Sequence, residues 1–187
     1  DRESLRRTME QIDNSAFDQA VQAIIAARKI YIIGVRSAAA LASFLNYYFT
    51  HIFEDVRNLD TGSTSVIFEQ MLRIRPEDVF IAITFSRYSS RTYKAAAYAK
   101  QNGAKVIAIT DSLTAPICKV ADHVLVARSD MASFVDSLVA PLSLINALIV
   151  AIGLQKKDEI AQVYTRLETI WDEYHVYEKG EPDVPTP

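Results

Sequence analysis

VFIAITFSRYSSRTYKAAAYAKQNGAKVIAIT, residues 79–110, carries the pattern on which the fold turns. An apolar run, VFIAIT, precedes an alanine-rich segment, and a second apolar run, KVIAIT, follows it. Short continuous apolar runs read as strands buried on both faces, and the segment between them reads as a helix closed by Asn102-Gly103 at a C-cap. Outward from this unit the alternation continues. IYIIG (30–34) leads into AAALASFLNYYFTHI, DVRNLD (55–60) is a weaker strand before SVIFEQML, KVIAIT precedes the short APICKVA, and HVLVA (123–127) precedes a long apolar helix. Strands separated by helices with right-handed crossovers give an α/β fold, a doubly wound five-stranded parallel sheet with helices on both faces.

Two helices lie outside this repeat. Residues 14–28 place Phe17, Ala20, Val21, Ile24 and Ile25 on one face, and residues 156–178 carry a stripe from Ile160 through Val163, Tyr164, Leu167, Ile170 and Trp171 to Tyr174. Packing of that stripe on the domain is expected, with a subunit contact as the alternative. The tail GEPDVPTP is expected to be disordered.

Composition narrows the function classes. The chain of 187 residues is 50% hydrophobic and 23% charged, enough for one domain with a real core. A net charge of −3 gives no electrostatic reason to bind nucleic acid, so any DNA contact needs another domain. The lone Cys118 excludes an intrachain disulfide framework and fits a reducing, cytoplasmic setting. DRESLRRTMEQID shows no signal peptide. Residues 134–154 approach the length of a membrane span but contain Asp136, Ser137, Ser143 and Asn146, so a helix buried on several sides is expected, and no membrane partner. Three scattered histidines provide no metal spacing, GVRSAA lacks a nucleotide fingerprint, and no cofactor is expected.

In an open parallel sheet a ligand binds beyond the carboxyl ends of the strands, where the strand order reverses. With the order 2-1-3-4-5 that point lies between GVRSAA (34–39) and TFSRYSS (84–90). Both loops open helices, whose N-termini favour an anion, and residues 84–92 add the hydroxyls of Thr84, Ser86, Ser89, Ser90 and Thr92. An N-cap at Ser89 or Ser90 is the simpler explanation, but one cap needs one hydroxyl. Ser133 with Asp136 forms a capping pair for the long helix, and Ser133 is a secondary ligand candidate.

These loops resemble those of the SIS (sugar isomerase) domain, a phosphosugar-binding α/β fold. The chain is similar over about residues 14–155 to the sensor domain of RpiR-type transcriptional regulators. The resemblance rests on IYIIGVRSAAALA, on residues 79–112, and on SFVDSLVAPLSLINAL. It implies the same strand order. Against the family pattern Ser-x-Ser-Gly-x-Thr, Thr84, Ser86 and Ser89 supply hydroxyls and Arg87 stands in place of glycine. Against Gly-x-Gly-x-Ser, Gly34 matches, Arg36 replaces the second glycine, Ser37 falls on the variable position and Ala38 replaces serine. Arginine lacks glycine's tolerance of positive φ, so a rebuilt or partly closed cradle is expected. Two fates are open to Arg36 and Arg87: bidentate binding of an anion, or surface ion pairs.

The resemblance implies a non-enzymatic sensor of a sugar phosphate or similar anion, acting as a homodimer. Residues 1–13, with Leu5, Met9 and Ile12 on one face, would end a linker helix from a helix-turn-helix domain. The ligand domain would span 14–178 and the tail 179–187. The alternatives are a phosphosugar isomerase and a dimerisation module with a vestigial site. An isomerase needs a placed base, and His51, Glu54, Glu69, His123 and His175 sit in no recognisable catalytic motif.

Overall fold

The computed structural model describes residues 1–132 and 134–177. Strands β1 (Ile30–Gly34), β2 (Val56–Asn58), β3 (Val79–Ile83), β4 (Lys105–Thr110) and β5 (His123–Val126) form one parallel sheet, in the order β2-β1-β3-β4-β5. The continuous apolar runs are explained by two cores. Alternate residues of a strand face opposite sides, so Ile30 and Ile32 enter one core while Tyr31 and Ile33 enter the other. The first core is closed by α2 (Asn14–Ile25), α3 (Ala38–Ile52) and α6 (Val139–Gln155). The second is closed by α4 (Thr64–Gln70), α5 (Ser90–Gln101) and a 3-10 turn at Pro116–Lys119. Ala95, Ala96 and Ala99 are fully buried, and their small side chains let α5 lie close to β3 and β4. Gly103, at φ 84°, ends that helix as its sequence indicates.

The long apolar segment departs from its expected course. Helix α6 begins at Val139 with Leu138 at its N-cap and no side-chain cap. Asp136 instead lies in a two-stranded antiparallel ribbon, β6 (Met131–Ala132) and β7 (Val135–Asp136), so it caps no helix, and Ser133 falls outside the described residues. Pro141 gives the reason. In the first turn its missing N–H costs nothing, whereas a helix begun at residue 134 would carry it in the interior and lose a hydrogen bond. No single described helix is long and apolar enough to cross a membrane. Helix α6 buries Leu144, Ile145, Leu148 and Ile152, while Val150 and Leu154 stay exposed.

Helix α7 (Lys157–Glu173) turns away from the core but keeps part of its stripe against the domain. A 98° bend after α6 carries it off the core, none of its residues is buried, and Tyr174 just beyond it is exposed. The stripe rests partly on α3, where the Tyr164 and His51 rings lie 5.8 Å apart. Helix α1 (Arg2–Gln11) follows the reading of its sequence in part: Leu5 and Ile12 are half-buried, Ile12 against the first core, but Met9 is 76% exposed, and the buried residues of the helix are Ser4 and Thr8. The tail from residue 178 lies outside the described residues.

Candidate functional site

Because β1 and β3 are hydrogen-bonded neighbours, with Gly34 opposite Ile83, the loops leaving them lie side by side at the carboxyl edge of the sheet. Each loop contains an arginine in the left-handed region, Arg36 at φ 62° and Arg87 at φ 64°. These are the two residues that stand where the family pattern has glycine. Both arginines thus take the positive φ that glycine tolerates and other residues disfavour. Holding a non-glycine residue there costs on the order of 1–3 kcal/mol. Neither guanidinium has an ion-pair or hydrogen-bond partner among the described residues, which removes the surface ion-pair alternative.

Between the loops lies a small open cavity of about 30 Å³ lined by Arg36, Ser37, Thr84, Ser86, Arg87 and Ser89. Six of the nine candidate residues thus converge. Gly34 does not line the cavity; a Cβ there would stand 2.3 Å from the Ala38 carbonyl oxygen, so its glycine serves the close approach of α3 to β1. Ser90 is the exposed first residue of α5, and Ser133 is outside the described residues. Ser89 is the N-cap, its Oγ accepting from the Thr92 N–H at 3.4 Å. No side chain caps α3: Ser37, at its N-cap, donates instead to Asp136 Oδ2 at 3.1 Å. Neither helix carries an acidic residue in its first turn, which leaves both N-termini favourable to an anion.

Asp111 is the residue that sequence reasoning missed. It follows β4 directly, is 7% exposed, and accepts from the Ser86 N–H at 3.1 Å, from Ser86 Oγ, and from the Tyr88 hydroxyl at 2.9 Å. Burial, with help from the hydrogen bond to Asp111, pushes the Tyr88 phenol above its usual pKa. The signal was available, since an acid immediately after a strand of this sheet must sit at the ligand edge. Asp111 also lines a second cavity of about 320 Å³, which shares Phe85 and Ser86 with the first. Asp130, Asp136 and Arg128 contribute charge to its wall, and Ser112, Thr114 and Ser129 contribute hydroxyls. A cavity of this size suits the body of a small polar ligand better than the narrow cradle does. Among the described residues no group of His, Cys, Asp or Glu is arranged to hold a metal ion.

The candidate bases are elsewhere. His51 sits in the last turn of α3, about 20 Å of helix from the cradle, with Glu54 beyond it. His123 opens β5 at the opposite edge of the sheet, and neither cavity has a histidine or glutamate in its wall.

An α/β domain with an arginine- and hydroxyl-lined cavity at its topological switch point is the class that these features define. The chain belongs to the SIS-domain family, whose model matches residues 23–151. An uncharacterised HTH-type transcriptional regulator of Haemophilus influenzae is 28% identical over 161 residues, which are 84% of this chain and 55% of the relative. The chain thus spans about half the length of that relative. The sugar isomerase domain of an RpiR transcription factor from Sphaerobacter thermophilus superposes with a TM-score of 0.85 at 28% identity, covering 89% of this chain and 93% of that one. NanR of Vibrio vulnificus, in complex with ManNAc-6P, superposes with a TM-score of 0.80 at 20% identity, over 90% of this chain and 64% of that one. The phosphoheptose isomerase of Neisseria gonorrhoeae shares the fold, with a TM-score of 0.66 at 19% identity over 80% of this chain and 92% of that one.

Proposed function

We propose that this chain is the sugar-phosphate-sensing part of an HTH-type transcriptional regulator and that it binds its ligand without converting it. The observation that carries this reading is the pair of arginines, Arg36 and Arg87, without partners among the described residues and held in a strained conformation on adjoining loops. Strain persists where the surroundings over-determine it, and two unpaired guanidiniums beside two uncapped or hydroxyl-rich helix starts suit a phosphate. Ser37, Thr84, Ser86 and Ser89 line the cradle, and the second cavity takes the hydroxylated body. The H. influenzae relative and the complexed NanR support the regulator and the ligand class respectively.

Turnover would require a base within hydrogen-bond reach of the sugar carbons. The cavity walls offer aspartates and Tyr88, and Asp111 is already committed to Ser86 and to the Tyr88 hydroxyl. DNA contact would fall to a separate helix-turn-helix domain, given the chain's net charge of −3. Two copies would associate through the exposed apolar residues of α6 and α7. The narrowness of the cradle, about 30 Å³, favours a second reading, a dimerisation module whose site is vestigial.

Thermal unfolding against hexose and pentose phosphates, with the free sugars and inorganic phosphate as controls, tests the reading. A ligand at a hundred times its Kd adds about 2.7 kcal/mol, or roughly 5–11 °C for a domain of this size. A shift with one sugar phosphate and no turnover of it is the expected result. A flat panel sinks the sensor in favour of the vestigial module, and turnover makes the protein an isomerase.

A further inference from the structure

Helix α1 is tied to the wall of the second cavity. Ser4 Oγ donates to Asp130 Oδ2 at 2.9 Å, and the Arg128 N–H donates to Thr8 Oγ1 at 2.9 Å. Thr8 Oγ1 in turn donates to the Ser4 carbonyl at 2.8 Å, so the two hydroxyls act as one clasp. Ser137 Oγ adds a bond to Asp1 Oδ1 at 2.6 Å. These polar residues are the ones α1 buries, while Met9 stays in solvent. A helix held by a few polar bonds and little apolar area opens at low free-energy cost. Its docking therefore depends on how firmly the described stretch at residues 128–130 and 134–137 is held.

That segment faces the ligand site from its other side. Arg128 and Asp130 line the second cavity, and Asp136 accepts from Ser37 of the cradle loop. Arg128 Nε is buried and has no acceptor. The contact from Arg128 to Asp130 Oδ1 is long, at 3.4 Å, which leaves that oxygen open to a hydroxyl donor while Oδ2 keeps Ser4. Asp130 Oδ1 thus presents unused hydrogen-bonding capacity to the cavity, which Arg128 also lines, while Asp130 Oδ2 and the Arg128 N–H serve α1.

We infer that α1 reports the occupancy of the second cavity. An occupant that gives a hydroxyl proton to Asp130 and an acceptor to Arg128 fixes the segment to which Ser4 and Thr8 are bonded, and the helix docks more firmly. The inference rests on the sugar-phosphate reading and goes beyond it, because it names which part of the ligand is sensed and which element moves. Inorganic phosphate fills the cradle without reaching Asp130, so it binds without signalling. By linkage the coupling is reciprocal: weakening the clasp weakens the ligand by the factor that the ligand strengthens the clasp.

Hydrogen exchange at the α1 amides of the wild-type chain reads this directly. The probes are the sugar phosphate with the largest thermal shift and inorganic phosphate, each at saturation. The sugar phosphate is expected to slow exchange across α1 by about fivefold or more, and inorganic phosphate to leave it unchanged. Ser4→Ala is expected to weaken sugar-phosphate binding by a similar factor and leave phosphate binding within about twofold. A bound sugar phosphate that leaves α1 exchange unchanged, or speeds it, overturns this inference and leaves the functional reading standing. Absence of binding by every sugar phosphate overturns both.

Discussion

Replacing Arg36 and Arg87 by glycine separates what these residues do to the fold from what they do for a ligand. Both residues sit at positive φ, 62° and 64°, and neither side chain has a partner among the described residues. Glycine relieves backbone strain on the order of 1–3 kcal/mol per site. It also gives the unfolded chain more freedom, which costs about 0.4–1 kcal/mol. The net expectation is a variant between unchanged and roughly 2 kcal/mol more stable at each position. Binding should move the other way. A charge-assisted hydrogen bond contributes about 1.5–3 kcal/mol, so each glycine variant should lose roughly ten- to a hundredfold in affinity for the phosphate group. The two losses need not add, since both arginines line one cavity. Chemical denaturation and isothermal titration with a sugar phosphate and with inorganic phosphate give the two readings on the same samples. Arg→Ala variants provide the control, because alanine keeps the strain and drops the charge. The reasoning fails on the stability side if glycine destabilises either site by more than about 1 kcal/mol. It fails on the binding side if the glycine variants bind as the wild type does.

Three further outcomes follow from the geometry. Gly34→Ala should destabilise the fold by about 1–3 kcal/mol or more in denaturant melts, since a Cβ at 2.3 Å from the Ala38 carbonyl forces α3 off the sheet; an unchanged midpoint would count against that contact. Leu154→Glu with Ile170→Glu should convert a dimer to a monomer in light scattering, because both residues are exposed on α6 and α7; a monomeric wild type removes the proposed interface. At Asp122, burial raises the carboxyl pKa, but the Lys100 bond at 2.5 Å and the Val106 N–H at 2.9 Å outweigh it and hold the pKa below the usual range. A carboxylate depressed in the folded state stabilises above its unfolded pKa of about 3.9 and loses that contribution as pH falls through the folded value. The stability gap between wild type and Asp122→Asn should therefore be widest near neutrality and close below about pH 4, and a gap that widens in acid would refute the assignment.

The sheet was legible because burial on two faces forces continuous apolar runs, and five such runs leave little freedom in topology. VFIAI and IYIIG appear as strands residue for residue, and Asn102-Gly103 closes α5 where the pattern says. Helix periodicity was less informative once packing ended. The stripe on α7 has helical spacing, yet spacing does not say what it meets, and the bend after α6 decides that. At the start of α6 a plausible capping pair lost to Pro141, whose place in the first turn fixes the boundary more firmly than a serine can.

The site shows most clearly where residue identity and backbone conformation part company. A glycine in a loop pattern encodes a requirement on φ, and its replacement by arginine reads as loss of that requirement. Here both arginines adopt positive φ nonetheless, so the neighbouring structure holds each left-handed turn at a cost in strain. Asp111 went unseen for the complementary reason. It departs from no loop pattern, and only the folded chain brings a residue after β4 to Ser86 and Tyr88, 25 and 23 positions earlier. That pairing also bears on the proposed cradle: the Ser86 N–H and hydroxyl already serve an internal carboxylate, so on the sugar-phosphate reading the phosphate would draw its charge compensation from Arg36 and Arg87. Glycine loops would leave such an anion facing Asp111 with little beyond the two helix N-termini to offset it, and the two arginines would add to that offset.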